Sequence, residues 1–173
     1  LLKFSDGKNL GVHYLNGAIT FDPNVEQISE EEASKIVWLD ALTMNVDRTV
    51  RNTNMLIWNH ELWLIDHGAS LYFHHNWEHW EDQVTKPFVQ IKDHVLLHKA
   101  TQVRAVDQQF RYLFTEDNLW KIVSAVPDEW LEEVGRTETA DEARQVYVTV
   151  LARRVQQSDI FLDQSEKARE GRI

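Results

Sequence analysis

Two carboxylates and one amide stand at spacings that suit phosphoryl transfer. In the stretch NVDRTVRNTNMLIWNHELWLIDHG, residues 45–68, Asn52 follows Asp47 by five positions and Asp66 follows Asn52 by fourteen, closing an apolar run ahead of His67-Gly68. Such chemistry requires a carboxylate that orients and deprotonates an attacking hydroxyl, and hard oxygens that hold magnesium against nucleotide phosphates. Asp47 suits the first role. Asn52 and Asp66 suit the second, because magnesium takes one or two protein oxygens plus phosphates and waters rather than a full protein cage. Arg48 is expected to anchor the loop.

Three elements must bring these residues together. Asn54 to Trp58 and Leu62 to Ile65 read as short strands separated by Asn59-His60-Glu61, a hairpin signal. A hairpin returns the chain to its start and so carries Asp66 back toward Asn52 and Asp47. Upstream, Ser29-Glu30-Glu31-Glu32 has the form of a capping box, and a helix is expected from Glu30 to about Met44. Ala33, Ile36, Val37, Ala41 and Met44 would form its buried face, broadened by Trp38 and Leu42. That helix would deliver Asn45 to Asn52 at its C-terminal end.

D-R-x-x-x-N followed by a hairpin and L-I-D-H-G resembles the catalytic and metal-binding loops of the protein-kinase-like superfamily. The form is closer to HipA-like kinases and phosphoinositide-type kinases than to ordinary protein kinases, which carry H-R-D-x-x-x-x-N and D-F-G. The helix before N-x-D-R, and the run LWLIDHGASLYFHHNW, are most similar to the HipA-like group. The resemblance implies an ATP- and magnesium-dependent phosphotransferase, with Asp47 as catalytic base, Asn52 and Asp66 as metal and nucleotide ligands, and a protein serine or threonine hydroxyl as acceptor. It also implies an α+β, predominantly α-helical fold: a kinase-like large C-terminal lobe with a short β-hairpin carrying both loops.

Two departures bear on activity. Thr49 stands where related kinases place a cation near the transferred phosphate, which turns attention to Arg51, and His67 replaces the phenylalanine of D-F-G. No G-x-G-x-x-G loop and no V-A-I-K strand is visible, so the nucleotide-covering N-terminal lobe is expected to be missing from this sequence. Residues 1–28 would be the connector from that lobe, and a fragment or processed product is expected. A non-catalytic binding module is the corresponding alternative.

The 173 residues fit a single domain, and 43% hydrophobic content with seven tryptophans excludes a disordered polymer. A formal net charge of -10 argues against a nucleic-acid partner, whose backbone calls for basic patches. Without cysteine there is neither a disulfide nor a thiolate site. The sequence shows no long apolar run and no signal-peptide pattern, which suggests a cytoplasmic protein without a membrane partner.

A rival chemistry lies just downstream. His75-Asn76-Trp77-Glu78-His79 matches H-x-x-E-H, in which two histidines bind zinc and the glutamate is general base; Glu116, Glu129 or Glu132 would have to supply the third ligand. The same segment also reads as an aromatic wall, with Tyr72, Phe73, Trp77 and Trp80 either packed in the core or lining an acceptor pocket. Ser70 and Thr85 sit where many kinases carry a regulatory phosphosite. Farther on, helices are expected at Val95 to His98, Thr101 to Phe114, Leu119 to Ala125 behind a Thr115 cap, from Pro127 to Gly135, and from Glu138 to Val155. His94 and His98 read as a surface or core pair, and residues 156–173 as a polar tail that frays.

Overall fold

The computed structural model describes residues 6–132 and 138–171. Its elements in order are β1 (Ile19–Thr20), α1 (Glu30–Thr43), β2 (Met55–Trp58), β3 (Glu61–Leu64), α2 (Glu81–Val84), α3 (Val103–Leu113), α4 (Glu116–Val123), α5 (Asp128–Leu131), α6 (Ala140–Gln156) and α7 (Asp159–Glu170), with short 3-10 segments between β3 and α3. The fold is α+β and mostly helical. Its one described sheet has three antiparallel strands in the order β1-β2-β3.

Helix α1 is the axis of the core. Ser29 caps it by accepting from the Glu32 amide at 3.1 Å. The Glu32 carboxylate accepts from the Ser29 hydroxyl, also at 3.1 Å, rather than from the Ser29 backbone amide that the expected box calls for. Every residue assigned to its apolar face is buried, and Trp38 packs edge-on against Phe110 of α3 and Phe161 of α7 with ring centroids 4.9 and 5.7 Å apart. The indole N–H would be costly to bury unpaired, and it donates to Asp107 at 2.9 Å. Met44 ends the helix in the left-handed region, φ 56°, which turns the chain sharply into Asn45.

The hairpin is tighter than the sequence suggests. Strand β3 starts at Glu61, leaving a two-residue turn in which Asn59 and His60 both have positive φ, 50° and 65°. That is the turn whose twist matches the twist of paired strands, and it sets Met55 opposite Leu64 and Trp58 opposite Glu61. Strand β1, from the expected connector, adds to the free edge of β2 with Ile19 opposite Ile57.

Two downstream expectations need correction. Residues 156–173 do not fray where they are described: α7 is a twelve-residue helix with Phe161, Leu162 and Ser165 buried. The reason is tertiary. Phe161 seats on Trp38, while Arg104 of α3 bridges Asp159, Asp163 and Glu166 on one face of α7. Val95 to His98 is not a helix of its own either; His94 and His98 lie on separate short segments, the first buried and the second exposed. The VYVTV run, residues 146–150, is helical within α6, whose start is fixed by a full capping box between Thr139 and Glu142. The helix after Pro127 is short: it ends at Leu131, where Glu132 turns extended, ahead of the expected limit at Gly135.

Buried Arg154 on α6 ties three segments together. It is 1% exposed and donates to the carbonyls of Ala41 and Leu42 at the end of α1, and to those of Gln83, Val84 and Lys86 around the end of α2. Burial lowers its pKa to about 10, which leaves it charged at neutral pH among carbonyl dipoles. Orphan helix-end carbonyls and a buried cation thereby satisfy one another.

Candidate phosphoryl-transfer site

The turn after α1, the hairpin and the loop after β3 meet on one side of the core. The Val46 amide donates to the Ala69 carbonyl at 3.1 Å, and the Leu71 amide to the Thr43 carbonyl at 2.8 Å, so the D-H-G loop is stitched to the end of α1. All six described non-glycine residues with positive φ, Met44, Asn54, Asn59, His60, Asp66 and Leu71, lie between positions 44 and 71. Left-handed backbone at Met or Leu costs about 1–2 kcal/mol each, and strain of this kind collects where side chains must be aimed.

Asp47 and Asn52 are in direct contact. The Asn52 amide nitrogen donates to Asp47 Oδ2 at 2.9 Å. Asn54, two residues on, donates to the same oxygen at 3.2 Å and reaches the Asp66 carbonyl at 3.4 Å. Asp66 is thus brought back to the Asp47 loop through its main chain, while its Oδ1 accepts from the Gly68 amide at 3.4 Å. Three oxygens carry no protein hydrogen bond among the described residues: Asp47 Oδ1, Asn52 Oδ1 and Asp66 Oδ2. One carboxylate oxygen for a hydroxyl, and one amide plus one carboxylate oxygen for a hard cation, is a donor set that fits magnesium.

Beneath these loops lies a buried polar core. Arg48, 1% exposed, bonds through Nε to Asp40 Oδ2 at 2.5 Å and through Nη1 to the Asn54 carbonyl. Asp40 also accepts from Asn45 Nδ2 at 3.0 Å and from His94 Nε2 at 2.9 Å. His94 Nδ1 accepts from the Leu96 amide, so the ring is the neutral tautomer with its proton on Nε2. Burial opposes the charge on Asp40, but the hydrogen bonds from His94 and Arg48 outweigh it and hold the carboxyl below the usual carboxylate range. Arg48 therefore anchors the loop, as its position suggests.

His67 joins this core from the D-H-G loop. Its Nε2 lies 3.1 Å from Arg48 Nη2, and because arginine only donates, the imidazole must accept. Desolvation and the Arg48 charge hold its pKa below the ordinary histidine value, consistent with that neutral acceptor. The sequence reading did not place Asp40, His94 or Asn54 at the site. Asp40 is hidden in a helix scanned for apolar spacing, and His94 lies 54 positions away from it.

A cavity of about 570 Å³ opens beside the site. Phe21, Asp22, Asn24, Arg51, Asn52 and Leu56 are among the residues that line it. The Phe21 backbone is already committed: its amide donates to the Met55 carbonyl and its carbonyl accepts from Thr53. Thr49 is bound by its backbone amide to the Asp47 and Asn52 carbonyls and pairs with His94 in an isolated bridge, which leaves Arg51 as the cation on the cavity wall.

The zinc alternative does not assemble. H-x-x-E-H needs one continuous helix to put both histidines on one face, whereas the Tyr72–His79 segment is 3-10 and breaks at Asn76 (φ -136°, ψ 59°). The His75 ring pairs with its neighbour His74, Nε2 to Nε2 at 2.9 Å. No group of three or more His, Asp or Glu suited to a metal forms among the described residues. Of the aromatic wall, Phe73 is buried and rests on Trp77 and Tyr147, while Tyr72 is exposed. No described helix is long and apolar enough to cross a membrane.

No curated protein and no solved structure matches this chain. The family model for HipA-like kinases matches residues 4–164, which spans both loops, the hairpin, the buried polar core and most of the helical part. The chain belongs to the HipA-like kinase family.

Proposed function

We propose that this chain carries the catalytic large lobe of an ATP- and magnesium-dependent phosphotransferase, acting in the cytoplasm on a protein serine or threonine hydroxyl. The observation that carries the reading is the shared hydrogen bonding of Asp47: Asn52 and Asn54 both occupy Oδ2, and Oδ1 remains for the acceptor. In this reading Asp47 Oδ1 receives the hydroxyl proton and aligns the attacking oxygen with the transferred phosphorus. Asn52 Oδ1 and the Asp66 carboxylate would hold magnesium, which when bound neutralises charge on the phosphate oxygens.

The nucleotide would occupy the 570 Å³ cavity, its base toward Phe21 and Leu56 and its phosphates toward Asn52. Arg51 would supply the cationic contact that Thr49 does not. The covering lobe, whose glycine-rich motif this sequence lacks, would complete the enclosure and exclude water. Family membership supports kinase chemistry, and the kind of hydroxyl is the finer part of the proposal.

Transfer of labelled γ-phosphate to serine/threonine peptides, a phosphoinositide and a small polyol, with wild-type chain and Asp47→Ala, tests it. Peptide labelling that needs Asp47 is the expected result. Labelling of the lipid or polyol alone would reassign the acceptor. Tight partner capture with no transfer, undiminished in Asp66→Asn, would favour the non-catalytic module, for which that carboxylate has no purpose.

A further inference from the structure

Asn54 lies outside the D-R-x-x-x-N pattern, yet more of the site passes through it than through either proposed metal ligand. It is 8% exposed, with φ 47°. Its side-chain nitrogen is shared between Asp47 Oδ2 at 3.2 Å and the Asp66 carbonyl at 3.4 Å. Its own carbonyl accepts from Arg48 Nη1 and from the Ile65 amide, the latter at 3.0 Å. One residue thus links the base, the buried Arg48–Asp40 pair, the hairpin exit and the metal loop.

The geometry explains why this residue type stands there. A left-handed backbone admits Asn, Asp or Gly with little penalty. Of these, only Asn has a side-chain N–H pair that can serve two oxygens at once. Aspartate would set a second carboxylate against Asp47, and glycine would leave the Asp66 carbonyl and Asp47 Oδ2 each short of one donor.

We infer that Asn54 is a positioning residue for phosphoryl transfer: with Asn52 it saturates Asp47 Oδ2, dedicating Oδ1 to the acceptor hydroxyl, and it fixes the spacing between the Asp47 loop and the metal loop. The inference rests on the phosphotransferase reading above. It acts through the rotation of one carboxylate. A free carboxylate presents either oxygen to solvent, whereas one locked by two amides presents one, so the reacting proton always has the same destination.

The test is a double-mutant cycle on the full chain, assayed for phosphoryl transfer with saturating magnesium. Asn54→Gly keeps the φ 47° backbone unstrained and removes the side chain with its amide. It should lower kcat by roughly 10- to 100-fold, while KM for magnesium-ATP stays within about twofold, since the lost contact serves orientation rather than ground-state binding. In an Asp47→Ala background the same change should cost clearly less, because only the spacing to the metal loop is left to lose.

An equal loss in both backgrounds, or a rise in KM at constant kcat, would overturn the positioning role and leave the phosphotransferase reading intact. If Asp47→Ala transfers phosphate as fast as wild type, Asp47 is not the base and this role fails with it; if wild type itself transfers no phosphate, the phosphotransferase reading fails. A second readout needs no activity: the Asn54 side-chain amide resonances should move on Asp47→Asn, and stationary resonances would overturn the contact itself.

Discussion

Two stretches separated by fewer than ten residues both carry short motifs of known chemistry, and they have opposite fates in three dimensions. Asp47, Asn52 and Asp66 are spread over twenty positions, yet the hairpin gathers their loops and a buried polar core holds them. His75, Glu78 and His79 are nearly contiguous, yet the backbone that carries them is kinked at Asn76 and they join no metal-holding group of three among the described residues. Spacing has meaning only through the element that converts it into distance. For the first set that element is an I′-type hairpin with two left-handed residues, and for the second it would have been a helix that does not form.

The contrast can be broken most forcefully at Asp47. Asp47→Ala should lower phosphoryl transfer by about 10²–10⁴-fold, the usual contribution of a positioned general base, with little change in unfolding midpoint. A steady-state assay paired with a urea melt separates the two effects.

Asp40→Ala comes next, and here the loss should be in stability. Removing the carboxylate leaves Arg48 buried without its ion-pair partner, which costs about 3–5 kcal/mol by urea unfolding. The same pair gives a pH dependence. The Asp40 carboxyl is held below its ordinary value of 3.8, so its contribution is present above pH 3.8 and is lost as pH falls through the lower folded-state value. Wild type should lose stability more steeply than Asp40→Asn in that acid window, and parallel curves would mean that the pair does not tune folding.

The smallest effect belongs to the other stretch. His75→Ala and His79→Ala should change stability by no more than about 0.5 kcal/mol, since both are exposed and the His75–His74 contact is exposed too. Metal analysis of wild type should find no stoichiometric zinc that either substitution removes. Bound zinc lost in both variants would reverse the comparison.

Much of the site was legible because its residues sit on local signals. Ser29 marks the start of α1, apolar spacing carries it to Met44, and Asn59 marks the turn that folds Asp66 back. What stayed hidden depends on contacts between distant segments. Asp40 looks like one polar residue in an amphipathic helix until His94 and Arg48 arrive from other segments, and Asn54 reads as a strand residue until its left-handed backbone is seen. The C-terminal helix was missed for the same reason: Ile160-Phe161-Leu162 is a brief apolar cluster among charges, and its stability comes from Trp38 and Arg104 rather than from its own periodicity.

The central claim is that Asp66, delivered by the hairpin, completes a magnesium-dependent nucleotide site. The most direct test is thermal unfolding of the chain with ATP, with and without magnesium, on wild type and Asp66→Asn. At about 100 times its dissociation constant a ligand adds about 2.7 kcal/mol to the native state. A magnesium-dependent rise of that order in wild type, absent in Asp66→Asn, is the predicted result; no rise in wild type, or an equal rise in both proteins, would contradict it.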